Sequence, residues 1–180
     1  DLKFHDIPAT MAGACRQASK LGVKLISVHS CAGSKALLEA NQAAKQGAEE
    51  AGYSSPTLLA ITVLTSWGID NLKKELVIEQ TIKRRVQTLA LLAYESGIGG
   101  CVCSPLEVES LRKIYPYPFE LITPGIRLLE SVKDDQSRIA TPLEAIKKGA
   151  SRLVIGRPIS RSNNPIDMFE RFCEEIKSSN

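Results

Sequence analysis

Three charged residues open the chain: Asp1, Lys3 and Asp6. On an extended backbone alternate side chains share a face, so Asp1 and Lys3 are expected on the same side. A carboxylate beside an ammonium keeps that ammonium protonated. Lys3 is therefore a candidate proton donor near neutral pH. Asp6 adds a second carboxylate close by. The plainer reading is a surface ion pair, worth about 0–1 kcal/mol, and composition alone does not separate the two.

A second chemistry lies further along. Thr123-Pro124-Gly125-Ile126-Arg127 and Ile155-Gly156-Arg157-Pro158 each set a Gly and an Arg after an apolar run. Glycine lets backbone approach a ligand closely, and the arginine fork matches phosphate oxygens. Two such loops at adjacent strand ends suit a phosphorylated substrate; ordinary turns with solvated arginines would read the same way. His29 ends another apolar run, as a base or as a histidine positioned by a backbone hydrogen bond. Thr65 and Ser66 end a third and offer hydroxyl and backbone groups. Trp67 is read as packing. The polar stretch from Leu128 to Ser137, with Lys133, Asp134, Asp135 and Gln136 and with Arg138 just beyond, is a candidate lid or a solvated loop.

These residues need elements to position them. Short β-rich runs alternate with helical patterns. Strands are expected at Leu2 to Phe4, Val23 to His29, Thr57 to Thr65, Cys101 to Cys103, Phe119 to Ile122 and Arg152 to Ile155. Helices are expected at about Ala9 to Leu21, Ser34 to Glu50, Val77 to Glu95, Leu106 to Ile114, Pro142 to Lys148 and Pro165 to Lys177. The near-continuous apolar run from Thr57 suggests a strand buried on both faces, as in a parallel sheet. About six βα units of this kind define an α/β fold. A complete (β/α)8 barrel usually takes about 250 residues, so 180 residues are few for one. The chain is read as a single barrel domain, residues 1–180, missing its N-terminal portion. In such folds active sites sit at the C-terminal ends of strands.

Composition removes several classes. Lys and Arg total 23 against 20 Asp and Glu, and aromatics make up 5%. That is too balanced for an electrostatic nucleic-acid binder and too poor in rings for a stacking platform. No apolar run reaches the roughly 18 residues of a membrane span, and the charged N-terminus does not read as a signal peptide. The five cysteines, Cys15, Cys31, Cys101, Cys103 and Cys173, are odd in number and irregular in spacing. With only two histidines, His5 and His29, they read as reduced thiols of a cytoplasmic protein rather than a zinc site.

Asp1 to Thr10 resembles the D-x-K-x-x-D-I-P-x-T signature of the orotidine 5′-monophosphate decarboxylases. Val28-His29, Thr62 to Ser66, Val102-Cys103-Ser104, Thr123 to Arg127, Asp135 to Ile139 and Val154 to Pro158 agree with that family in order and spacing, in its bacterial form. The resemblance covers essentially the whole chain. It implies a homodimeric (β/α)8 barrel that converts orotidine 5′-monophosphate to uridine 5′-monophosphate without metal or organic cofactor. It implies that Lys3 protonates C6, that Asp1 faces the substrate carboxylate, and that Asp6 enters the neighbouring subunit's site with Ile7 and Thr10 beside it. Gln136, Gly156 and Arg157 would meet the phosphate. Thr65 and Arg127 match ligand-contact positions, with Ser66 and Pro124 next to them, and 128–137 would be the closing lid.

The family places two strands before this motif, one carrying a ribose-binding aspartate and the other the first lysine of a Lys-Asp-Lys-Asp array. The chain is thus expected to hold strands 3 to 8 of the barrel and, by itself, to be inactive or nearly so. Two other functions are set beside this one: a magnesium-dependent phosphosugar decarboxylase or aldolase of the same suprafamily, and a non-catalytic nucleotide-binding protein. The Ile7-Pro8-Ala9-Thr10 continuation argues against the first, and Lys3 against the second.

Overall fold

The computed structural model describes residues 1–128 and 138–177. Helices and strands alternate along them: α1 Pro8–Ser19, β1 Leu25–His29, α2 Ser34–Glu50, β2 Thr57–Ile61, α3 Ile69–Leu76, α4 Ile82–Glu95, β3 Gly100–Val102, α5 Val108–Ile114, β4 Glu120–Thr123, α6 Pro142–Lys147, β5 Arg152–Leu153, α7 Arg157–Ser160 and α8 Pro165–Lys177. A 3₁₀ turn, Ser30–Ala32, links β1 to α2. No described helix is long and apolar enough to cross a membrane.

The chain divides into two units, Asp1–Val63 with Lys83–Val102 and Pro118–Glu120, and Leu64–Ile82 with Cys103–Tyr117 and the chain from Leu121 onward. In the first, β1 pairs with β2 in parallel from Leu25 opposite Thr57 to His29 opposite Ile61. β2 pairs with β3 in parallel, from Leu59 opposite Gly100 to Ile61 opposite Val102. β2 is half-buried at Thr57 and buried from Leu58 to Ile61, apolar on both faces as its run of Leu, Ala and Ile implies. Parallel neighbours need a crossover, and α2 and the α4 segment supply them.

Helix α2 carries Ala36, Ala40, Ala44 and Ala48 at i, i+4 spacing, each fully buried. This small-residue stripe lets α1 come close. A Cβ on Gly47 would fall against the Arg16 carbonyl oxygen and within 2.5 Å of the Ser19 hydroxyl. Arg16 and Lys20 of the α1 end also pair with Glu50 at the α2 end. Backbone cannot yield as a flexible side chain does, so Gly47→Ala is expected to cost about 1–3 kcal/mol. Thermal unfolding would register it as a midpoint about 2–12 °C lower.

In the second unit β4 and β5 pair in parallel, Ile122 opposite Arg152 and Thr123 opposite Leu153. The Cys103 amide donates to the Ile122 carbonyl at 3.1 Å. Arg112 of α5 ties this region together. It donates to the Gly149 carbonyl at 3.0 Å, the Tyr115 carbonyl at 3.0 Å and the Ser151 hydroxyl at 2.9 Å, and it lies 3.9 Å from the Tyr117 ring centroid. Helix α6 starts on a reciprocal cap: Thr141 Oγ1 accepts from the Glu144 amide and Glu144 Oε2 accepts from the Thr141 amide, with Pro142 in the first turn. Leu111, Leu121, Ile126 and Phe172 are buried in its core.

Several sequence expectations shift here. Leu2 to Phe4 is not a strand but a single parallel bridge, Phe4 with Val28. The helix expected from Val77 to Glu95 is two helices. Val77 adopts a left-handed φ of 55° and ends α3, and α4 begins only at Ile82. The Gly156-Arg157 loop is the start of α7, with Gly156 as its N-cap. The Ala-rich second helix and the last helix have the expected bounds.

Candidate active site

In the first unit the chain enters β1 alongside the bridge at Phe4, whose amide donates to the Ser27 carbonyl at 3.0 Å and whose carbonyl accepts from His29 at 2.8 Å. This fixes the residues around it. Lys3 Nζ pairs with the Asp1 carboxylate, whose other oxygen accepts from the Ser27 hydroxyl at 2.5 Å. The Lys3 amide donates to Ser27 Oγ at 3.0 Å. The expected Asp1–Lys3 pairing is present, but not by strand alternation. Lys3 has φ of 53°, a left-handed conformation rare for residues with a Cβ. Such a conformation costs of order 1–3 kcal/mol and tends to gather at functional sites.

The His5 and His29 rings lie 5.3 Å apart, tilted by 35°, and Cys31 Sγ is 3.7 Å from His5 Nε2. Burial first, then His5 and Lys3, push the His29 pKa below its usual value. A base depressed on folding binds fewer protons than its unfolded form below about pH 6.5, so stability falls as pH drops through that window. Denaturant midpoints measured from pH 7.5 to 5 should show this slope, and His29→Asn should flatten it.

Asp6 is exposed and its Oδ1 accepts from the Ile7 amide at 2.7 Å. Ile7 is the N-cap residue of α1 and 67% exposed. Thr10 is exposed in the first turn of the same helix. The sequence places Ser27 in a strand but gives no sign that its hydroxyl orders Asp1 and Lys3; its polarity in a run of apolar residues is the only signal.

The second unit holds the other expected site residues. Thr65 is half-buried and Ser66 exposed, in the turn before α3. Pro124 is half-buried, and Gly125 takes a φ of 78°, a left-handed value that glycine accepts without strain. Arg127 is buried and donates to the Ile126 carbonyl at 2.8 Å. Gly156 is exposed and nothing lies within 4 Å of where its Cβ would be, which leaves room for a ligand. Arg157 is half-buried. Gln136 and nearly all of the expected lid lie outside the described residues.

Arg138 departs from expectation. It is no part of a solvated loop: its Nη2 lies 2.6 Å from Glu107 Oε2, with side-chain exposures of 7% and 8%. Glu107 Oε2 also accepts from the Ser104 amide at 2.9 Å. Burial raises the Glu107 pKa, outweighing the opposing pull of Arg138 and Ser104.

Parallel strands alternating with helices define an α/β chain. The chain matches the family described as Orotidine 5′-phosphate decarboxylase / HUMPS over residues 1–172. It is 58% identical over 178 residues to an orotidine 5′-phosphate decarboxylase of Prochlorococcus marinus (strain MIT 9211), covering 99% of this chain and 74% of that protein. It is 57% identical to one of Synechococcus sp. (strain CC9902), over 99% and 73%. Among solved structures, orotidine 5′-phosphate decarboxylase from Lactobacillus acidophilus superimposes with a TM-score of 0.84 at 36% identity, covering 98% of this chain and 73% of that one. The Sulfolobus solfataricus enzyme gives 0.70 at 17% identity, a likeness of fold alone. The chain therefore belongs to the orotidine 5′-phosphate decarboxylase / HUMPS family, and its fold is that of these (β/α)8 barrels.

Proposed function

We propose that this chain carries catalytic and phosphate-binding residues of a carbon–carbon lyase that decarboxylates orotidine 5′-monophosphate to uridine 5′-monophosphate. The observation that carries the reading is the Lys3–Asp1–Ser27 cluster, in a chain 58% identical to a protein named for that activity.

The mechanism follows from the cluster's charges. The C6 carboxylate of the substrate faces Asp1, and two adjacent like charges favour loss of one of them. The C6–carboxyl bond breaks, carbon dioxide leaves, and the bonding pair stays on C6. The Lys3 ammonium stabilises this charge as it develops and then transfers its proton to C6. The neutral amine regains a proton from solvent. Ser27 keeps the Asp1 carboxylate in place, and Asp1 in turn holds the Lys3 ammonium. The family resemblance assigns the phosphate to Arg157, Gly156 and Gln136 and the rest of the ligand to Thr65, Ser66, Pro124 and Arg127; contacts to non-reacting parts of a substrate supply binding energy for the chemical step.

The functional unit in this reading is a homodimer, with Asp6 reaching the neighbouring site. The exposure of Asp6 and Ile7 at the start of α1 supports it. The buried thiols of Cys15, Cys101 and Cys103 suit a reducing cytoplasm. The test is a substrate panel on the protein as its whole gene encodes it. Orotidine 5′-monophosphate should be consumed with EDTA present. Turnover only of keto-gulonate or hexulose phosphates, and only with magnesium, would assign the other branch of the family.

A further inference from the structure

The Glu107–Arg138 pair has no place in the mechanism above, yet it is among the most buried charges of the described residues. Charges taken out of water are costly even when paired, and apolar residues of similar size often serve stability as well. This pair is also only partly satisfied. Among the described residues no acceptor meets Arg138 Nε or Nη1. A half-satisfied buried network is a poor way to hold a fold together, so its position is the informative feature.

Glu107 is fixed to the end of β3 twice over. Its Oε2 accepts from the Ser104 amide at 2.9 Å, and its own amide donates to the Ser104 carbonyl at 3.0 Å. Through Arg138 it then holds the chain two residues before Ala140. Ala140 forms a parallel bridge with Ile126. Its carbonyl accepts from the Arg127 amide at 3.0 Å, and its amide donates to the Gly125 carbonyl at 3.2 Å. A path of short polar contacts thus runs from the end of one strand, through a carboxylate and a guanidinium, to the backbone of Gly125 and Arg127 after the next.

We propose that Glu107 and Arg138 are positioning residues, which set the backbone at Gly125–Arg127 and thereby the grip of that strand end on the nucleotide. The inference rests on the proposed function, which places Pro124 and Arg127 at the ligand. The pair touches no reacting atom, so its loss should weaken ligand binding and leave the chemical step nearly unchanged. A purely structural pair would instead lower stability without separating KM from kcat.

The experiment compares wild type, Glu107→Gln and the double variant Glu107→Leu/Arg138→Met in the protein encoded by the whole gene. It reads kcat and KM for orotidine 5′-monophosphate, Kd for uridine 5′-monophosphate by calorimetry, and Tm. The expected result is a KM and Kd raised about 10-fold in both variants, with kcat within about twofold of wild type. The double variant, which leaves no charge unpaired, should melt close to wild type. A folded double variant with wild-type KM and Kd would overturn the proposal, as would failure of both variants to fold, which would make the pair structural. If wild type binds uridine 5′-monophosphate without turnover, the Kd values decide in the same way. A wild type that neither turns over nor binds would refute the proposed function itself, and the inference with it.

Discussion

Lys3→Ala is expected to lower kcat/KM for orotidine 5′-monophosphate by about 10³–10⁴-fold, nearly all of it in kcat. Lys3 does two things that alanine cannot. In the proposed mechanism its positive charge meets the electron pair as carbon dioxide leaves, and it holds the proton that C6 then takes. Removing a preorganised charge from a transition state typically costs about 10²–10³, and removing a proton donor about 10²–10⁴. One group does both, so the effects overlap and do not multiply. Lys3→Arg should rescue little, because guanidinium keeps its charge but does not give up its proton in this range. The fold should tolerate either change. The Lys3–Asp1 pair has side-chain exposures of 43% and 63%, and exposed pairs add little to stability. Steady-state rates with a circular-dichroism melt of each variant check both halves of this expectation.

Arg138→Met alone is expected to destabilise the protein by about 3–5 kcal/mol, because it strands the Glu107 carboxylate in a dry environment. For a chain of this length that is a midpoint lower by about 6–20 °C. The effect should depend on pH in a defined direction. Burial already raises the Glu107 pKa, and loss of Arg138 removes an opposing cation. The folded state then keeps a proton that the unfolded chain releases above the ordinary carboxylate range. The favourable contribution is complete below the unfolded pKa and is lost as pH rises through the folded one. The variant's deficit should therefore shrink in acid and grow toward neutrality. Guanidinium melts at pH 4.5 and pH 7 read this directly, and a deficit independent of pH would assign the loss to packing instead.

The legible parts of the fold were those with strong local patterns. The stripe of Ala36, Ala40, Ala44 and Ala48 and the apolar run of β2 fix their elements through periodicity and burial. Boundaries governed by single backbone conformations were not legible. Val77 is a β-branched residue in a left-handed conformation, which propensity argues against, so the break between α3 and α4 is hidden. α7 begins at a Gly-Arg-Pro that reads equally as a turn.

The site divides in the same way. Asp1, Lys3 and Asp6 stand out because charge at this spacing is visible in one dimension, and the motif around them carried the family. Ser27, 24 residues from Lys3 in the chain, orders the same pair through a contact that only folding creates. Arg138 follows a polar stretch that reads as a lid or as a solvated loop. Its partner Glu107 lies 31 residues away, and no local pattern marks a buried ion pair of that separation.

The measurement that bears most directly on the central claim is decarboxylation of orotidine 5′-monophosphate, followed by loss of ultraviolet absorbance in EDTA. Wild type and Lys3→Ala are run side by side in the protein encoded by the whole gene. Metal-independent turnover in wild type, with the rate in folded Lys3→Ala lower by about three orders of magnitude or more, is the predicted result. Equal rates in the two proteins, or no turnover in folded wild type, would contradict the assignment of Lys3 as the proton donor.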